Sequence, residues 1–151
     1  MIRRALPADR EAVEAIVEAA YSPYVARIGK PPGPMLDDYG ALIGQDAVSV
    51  VEDATGRLAA IIVLLPKSDH LLLDNIAVRP DRQGQGLGFR LIEFAESEAR
   101  RLGYRELRLY THQKMTENIA LYRRVGFEET GRGSQAGYDR VFMTKRLTAT
   151  S

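Results

Sequence analysis

The chain has no cysteine. That excludes a disulfide framework, a thiolate nucleophile and any cysteine-based metal site. It has two histidines, His70 and His112, too few and too separated for a metal cluster, so no metal is expected. Charge of one sign is lacking as well. The 21 basic and 20 acidic residues leave a net +1, which offers no electrostatic case for nucleic acid or an anionic membrane surface. No stretch approaches the roughly 18 apolar residues of a membrane span. The opening MIRRALPADREAVEAIV has no apolar run of signal-peptide length. A cytoplasmic protein without membrane or nucleic-acid partners is the expectation.

What is present suits one domain. The 151 residues are 45% hydrophobic, enough for a single core, and residues 1–151 are read as one unit. Ile2 to Leu6 reads as a first strand. Pro7 to Tyr21 follows as a helix, with Asp9 as N-cap and Val13, Ile16, Val17 and Ala20 on one face. Three prolines and two glycines between Gly29 and Pro34 exclude a regular element there, so Tyr21 to Tyr39 is expected to be a loop. Met35 to Gly44 has room for a short helix. Ala47 to Glu52 and Leu58 to Leu65 form an antiparallel hairpin across Asp53-Ala-Thr-Gly56. Leu71 to Val78 is the next strand.

Gly86 to Leu102 is the strongest helical pattern, with Leu87, Leu91, Ala95, Ala99 and Leu102 as its stripe and Gly103 as its stop. Glu106 to Thr111 is a strand reached through that helix, which implies a parallel pair with Leu71–Val78. Thr116 is the expected N-cap of a helix ending at Val125. Phe127–Thr130 and Tyr138–Arg146 are final strands, with a turn at Gly131-Arg-Gly-Ser. The tail from Thr148 to Ser151 is expected to fray.

The stretch Leu71–Leu102 carries the chemistry. A strand runs into a glycine-rich turn, and the turn opens a helix. Backbone N–H groups at a helix start lack intrahelical partners and sit at the positive end of the dipole. Glycines let an anion approach that backbone. A P-loop requires a lysine that Gly86-Leu-Gly-Phe-Arg90 does not supply. A dinucleotide fingerprint requires GxGxxG after the first strand. Gly84, Gly86 and Gly88 give GxGxG in mid-chain, with Phe89 in the way. Gln83, Gly86 and Gly88 do satisfy Gln-x-x-Gly-x-Gly, and Asn75-Ile-Ala-Val-Arg-Pro80 precedes them.

That pattern resembles the acyl-CoA-binding motif of the GCN5-related N-acetyltransferase (GNAT) superfamily. Asn118-Ile-Ala-Leu-Tyr122-Arg-Arg-Val-Gly126-Phe127 resembles its second signature, in the right order and spacing. The match covers about Leu71 to Phe127. It implies an α/β fold with a mixed, mostly antiparallel central sheet of six to seven strands. A splayed parallel pair lies in its middle, with about four helices.

The resemblance further implies direct transfer of an acetyl group from acetyl-CoA to a primary amine of a small molecule or peptide. The missing cysteine agrees, since no thiol is available for a covalent intermediate. Backbone from Gln83 through Gly84, Gln85, Gly86, Leu87 and Gly88 to Phe89 would hold the pyrophosphate. Arg79, Arg82 and Arg90 are close enough in sequence to add charge. Ile76, Ala77 and Val78 would align the pantetheine arm like an added strand, with Asn118 reaching it from the later helix. Tyr122 stands where the superfamily has its general acid. Asp74 shares a strand face with Ile76 and Val78 and is the candidate base, while Asn75 points to the other face. Tyr24, Arg27, Asp37 and Asp38 in the first loop, and Tyr110 on the fifth strand, are candidate acceptor contacts. A non-catalytic acyl-CoA sensor is the alternative, and a homodimer is admitted without being required.

Overall fold

A computed structural model describes residues 2–148. The expected frayed tail lies, apart from Thr148, outside the described residues. The described elements are strands β1 (Ile2–Arg4), β2 (Val48–Glu52), β3 (Leu58–Pro66), β4 (Leu71–Val78), β5 (Glu106–His112), β6 (Glu128–Gln135) and β7 (Tyr138–Arg146). With them are helices α1 (Arg10–Ile28), α2 (Tyr39–Gly44), α3 (Leu87–Arg101) and α4 (Thr116–Arg124). The strands are hydrogen-bonded in the order β1-β2-β3-β4-β5-β7-β6. Only β4 and β5 run parallel among the strand pairings described. This is the mixed, mostly antiparallel sheet with a central parallel pair and four helices that the resemblance implied.

The chain divides into two compact units, residues 2–64 with 74–91 and residues 65–73 with 92–148. In the first unit β2 pairs with β1 (Ile2↔Val51) and with β3 (Val48↔Val63). The unbroken apolar run Leu58–Val63 is buried at every position. An alternating strand would leave one face wet; a continuous run requires cover on both. Val13, Ile16 and Val17 of α1 are buried at helical spacing, as the periodicity required; Ala20, expected on the same face, is half-buried, and Tyr21 is the fourth buried position.

α1 corrects the sequence reading. It does not stop at Tyr21 but continues through Pro23 to Ile28. Proline removes one helical N–H, here the partner of the Ala19 carbonyl. The Ser22 hydroxyl donates to the neighbouring Glu18 carbonyl, not to the Ala19 carbonyl that the proline leaves open. The stop is Gly29, at φ 89°, whose N–H donates to the Val25 carbonyl at 2.8 Å. The second expected helix is likewise split. Gly33–Leu36 is a 3₁₀ turn, and α2 begins only after Asp38, whose carboxylate accepts the Ala41 N–H at 3.0 Å.

In the second unit the parallel register covers Leu71↔Leu107 and Leu72↔Arg108, only the first two residues of β4. β5 pairs with β7 along its whole length, from Glu106↔Arg146 to His112↔Arg140. β6 is longer than expected. Gly131-Arg-Gly-Ser is strand rather than turn, with a bulge between Glu129 and Gly131. The turn falls on Ala136-Gly137, both at positive φ (52° and 81°), as a two-residue hairpin loop demands. Two further expectations shift by a residue. Leu102 lies past the end of α3 and is 45% exposed. Thr116 is the first residue of α4, not its cap; the Met115 carbonyl instead accepts the Asn118 and Ile119 N–H groups at 3.1 and 3.2 Å.

Candidate active site

β4 alternates strictly. Leu71, Leu73, Asn75 and Ala77 are buried, while Leu72, Asp74, Ile76 and Val78 are half-buried on the other face. Asp74 thus shares its face with Ile76 and Val78, as strand geometry required. Asn75 is 2% exposed, and both ends of its side-chain amide are hydrogen-bonded. Its Oδ1 accepts the Tyr21 hydroxyl at 2.5 Å, and its Nδ2 donates to the Tyr39 hydroxyl at 2.8 Å. Tyr39 in turn donates to the Pro34 carbonyl at 2.5 Å. The two tyrosines flanking the proline-rich segment are therefore structural ties from β4 to that segment, a role sequence reasoning missed. A tyrosine–asparagine pair 54 residues apart has no local signature. Burial, then the charges of Asp37 and Asp74, push the Tyr39 phenol well above its ordinary value.

The Ile76 carbonyl lies 2.9 Å from the Tyr21 hydroxyl, and the Val78 carbonyl accepts the Gln83 side-chain amide at 3.3 Å. A carbonyl has two lone pairs, so one such hydrogen bond does not by itself exhaust it.

Past β4 the chain makes a 3₁₀ turn at Pro80–Arg82 and then the glycine turn. Gly84 and Gly86 sit at φ 79° and 80°, in the left-handed region. L-residues with a Cβ pay for that conformation; glycine does not. The first helical bond of α3 is donated by the Arg90 N–H to the Gly86 carbonyl at 3.1 Å. Ahead of it, the N–H groups of Gly84 to Phe89 have no acceptor among the described residues. Six consecutive residues thus present unsatisfied donors at the positive end of a 15-residue helix. The arrangement fits a pyrophosphate.

Two of the three nearby arginines are engaged within the protein. Arg82 Nη2 lies 2.9 Å from Asp53 Oδ2. Arg79 is buried, with Nε 2.6 Å from Asp81, Nη1 2.8 Å from the Leu58 carbonyl and Nη2 3.5 Å from Asp53. Arg90 is exposed on the first turn of α3.

In the second unit, α4 carries Asn118 and Tyr122 four residues apart, on one helix face. Tyr122 is buried, edge-on to Phe127 with centroids 5.6 Å apart. Asn118 is half-buried. Tyr110 lies edge-on to Phe142 at 6.3 Å, and the Arg140 guanidinium sits 4.1 Å over the Tyr110 ring. The register His112↔Arg140 and Tyr110↔Phe142 puts all four on one face of the β5–β7 pair. Arg140 was not among the expected residues; only the register brings it over Tyr110. His112 ends β5 rather than following it, and its Nδ1 accepts the Lys114 N–H at 3.1 Å. Tyr24 and Arg27, expected in a loop, lie on the last turns of α1, where the Arg27 guanidinium is 5.1 Å over the Tyr24 ring. No cluster of three or more metal-ligating His, Asp or Glu occurs among the described residues.

A strand, a left-handed glycine pair and an open helix start together define a site suited to the phosphates of a cofactor. The acetyltransferase (GNAT) family model matches residues 13–127, and the chain belongs to this family. The ribosomal protein bS18-alanine N-acetyltransferase of Escherichia coli is 39% identical over 74 residues, 49% of this chain and 50% of that protein. The chain thus spans about half the length of the curated relatives it matches. The crystal structure of the E. coli ribosomal-protein alanine N-acetyltransferase superposes with a TM-score of 0.77 at 24% identity, covering 100% of this chain and 96% of that one. The PaiA N-acetyltransferase of Thermoplasma acidophilum, solved with coenzyme A, reaches 0.81 at 18% identity over 97% and 98% of the two chains. At these identities the structures show the fold.

Proposed function

We propose that residues 1–151 form one acetyl-CoA-dependent N-acetyltransferase domain that moves an acetyl group directly to a primary amine. The observation that carries this reading is the run of unsatisfied N–H groups from Gly84 to Phe89, shaped by Gly84 and Gly86. Family membership and the coenzyme A complex of a structural neighbour support the donor. The ribosomal-protein relative supports an amine acceptor of peptide type.

The roles follow residue by residue. Amides from Gly84 to Phe89 take the pyrophosphate, with Arg82 as a candidate cation; the expected Gln83 N–H is instead donated to the Pro80 carbonyl at 3.4 Å. Backbone at Ile76, Ala77 and Val78 aligns the pantetheine, and the Asn118 side chain reaches it. The amine nitrogen attacks the thioester carbonyl, forming the C–N bond as the C–S bond breaks. Tyr122 gives its hydroxyl proton to the leaving sulfur and is reprotonated by the proton that the nitrogen sheds, directly or through water, as the amide forms. The amine must first lose a proton, since at pKa about 10.4 only roughly one lysine-like amine in 2,500 is free base at pH 7. Asp74 is proposed to receive it, directly or through water. Tyr24, Arg27, Tyr110 and Arg140 are the proposed acceptor contacts. A cytoplasmic location belongs to the same proposal.

The test is release of free thiol from acetyl-CoA across a panel of amines and N-terminal peptides, beside calorimetric titration with coenzyme A. Turnover with at least one amine is expected. Tight binding with no turnover on any acceptor would replace the enzyme reading with a sensor.

A further inference from the structure

The glycine turn cannot hold its own shape. Glycine has the most conformational freedom of any residue, and a Cβ built at Gly84 or Gly86 would meet nothing within 4 Å. At neither position does any residue beyond the adjacent ones lie where a side chain would stand. Its geometry must come from its two ends. One end is α3. The other is the segment Arg79–Gln83, and that segment is fastened to Asp53.

Asp53 lies in the turn of the β2–β3 hairpin, with its side chain 7% exposed. Its Oδ1 accepts the Thr55 N–H at 2.9 Å, the Thr55 hydroxyl at 2.6 Å and the Arg57 N–H at 3.1 Å. Its Oδ2 faces Arg82 at 2.9 Å and Arg79 at 3.5 Å. The Thr55 hydroxyl first, and these other donors with it, hold the carboxyl well below the usual range, so it stays charged. Arg79 then pins the start of the 3₁₀ turn to the hairpin base. Its N–H donates to the Ala59 carbonyl at 2.8 Å and its Nη1 to the Leu58 carbonyl at 2.8 Å. The Arg82 N–H closes that turn on the Arg79 carbonyl at 2.8 Å. The next residue but one is Gly84. A hairpin turn needs only the Thr55 and Arg57 bonds; the two arginine contacts serve the segment in front of the glycines.

We propose that Asp53 is a positioning residue for the acyl donor: through Arg79 and Arg82 it sets where the glycine-turn amides stand. The inference rests on the reading that coenzyme A binds at that turn. Its sign is diagnostic. Removing a negative charge near an anion site would by itself tighten binding of a phosphate. Loosening the amides would weaken it. Asp53→Asn keeps an oxygen for Thr55 and Arg57 but offers the arginines no charge.

The experiment is calorimetric titration of the full chain with coenzyme A, for wild type, Asp53→Asn and Thr55→Ala, alongside thermal melts. Asp53→Asn is expected to raise the dissociation constant on the order of tenfold, about the worth of one hydrogen bond to a charged group. Thr55→Ala, which removes one bond to the same carboxylate without touching the arginines, is expected to lower the melting temperature and leave affinity within about twofold. Unchanged or tighter binding by Asp53→Asn overturns the proposal, as does equal weakening by Thr55→Ala. Should Asp53→Asn fail to fold, Asp53→Glu keeps the charge and moves it by a methylene; unchanged affinity there overturns the proposal equally. If wild type itself does not bind coenzyme A, the donor reading falls. If wild type binds and the Asp53 variants match it, the donor reading stands and Asp53 has no part in it.

Discussion

A phenol near pKa 10 is a weak acid for a thiolate whose conjugate acid is near 8.5, so little is asked of Tyr122. Tyr122→Phe is expected to lower kcat by up to about 10²-fold, the low end for a general acid, with acetyl-CoA affinity unchanged. An unaltered kcat, with chemistry shown to limit the rate, would remove Tyr122 from proton transfer. Asp74→Asn is expected to change the shape of the pH–rate profile; an undisturbed profile takes the residue out of the mechanism. Tyr39 makes a separate prediction about stability. Its phenol is held above its ordinary value of 10.0, first by burial and then by Asp37 and Asp74. The native state therefore keeps this proton at pH values where the unfolded chain loses it. That contribution is complete below pH 10 and falls above it, by up to about 1.4 kcal/mol per pH unit. Urea midpoints at pH 9 and 11 should converge when Tyr39 is replaced by Phe. Equal losses in wild type and variant would count against a role for this hydroxyl.

At the scale of the element, the glycine turn and β4 act as one device. Gly86 at φ 80° has open space where a side chain would go, so the objection to a substitution there is backbone strain alone. Gly86→Val is expected to cost about 1–2 kcal/mol in the left-handed conformation, or to tilt the amides out of line. Either way the coenzyme A dissociation constant should rise at least severalfold; a valine variant that binds like wild type would show that these amides are not the anion site. α1 teaches the complementary lesson. A helix whose apolar face is buried up to Tyr21 tolerates the one donor that Pro23 lacks, and it ends where Gly29 leaves the right-handed region. The hairpin β6–β7 moved its turn for a similar reason: the chain reverses where two adjacent residues adopt positive φ, not where glycines are most frequent.

At the scale of the whole molecule, binding of a donor to the folded chain alone must stabilise it. Acetyl-CoA at about 100 times its dissociation constant should contribute about 2.7 kcal/mol, raising the melting temperature by roughly 5–10 °C for a chain of this size. The Gly86→Val variant should show a much smaller rise at the same concentration. No shift in wild type would argue that the native state has no donor site. The strands, the amphipathic α3, the parallel pair and the two signature motifs were legible in the residues because each rests on short-range periodicity or on local spacing. The family follows from them, and the acetyl-CoA donor is proposed on the same ground. Other features were decided only by tertiary structure. Asn75 joins Tyr21 and Tyr39, Asp53 holds Arg79 and Arg82, and Arg140 lies over Tyr110. Each links residues brought together by strand register or by helix packing, at separations for which sequence carries no period. Hydrophobic alternation says which face a residue occupies; only the folded sheet says what it meets there.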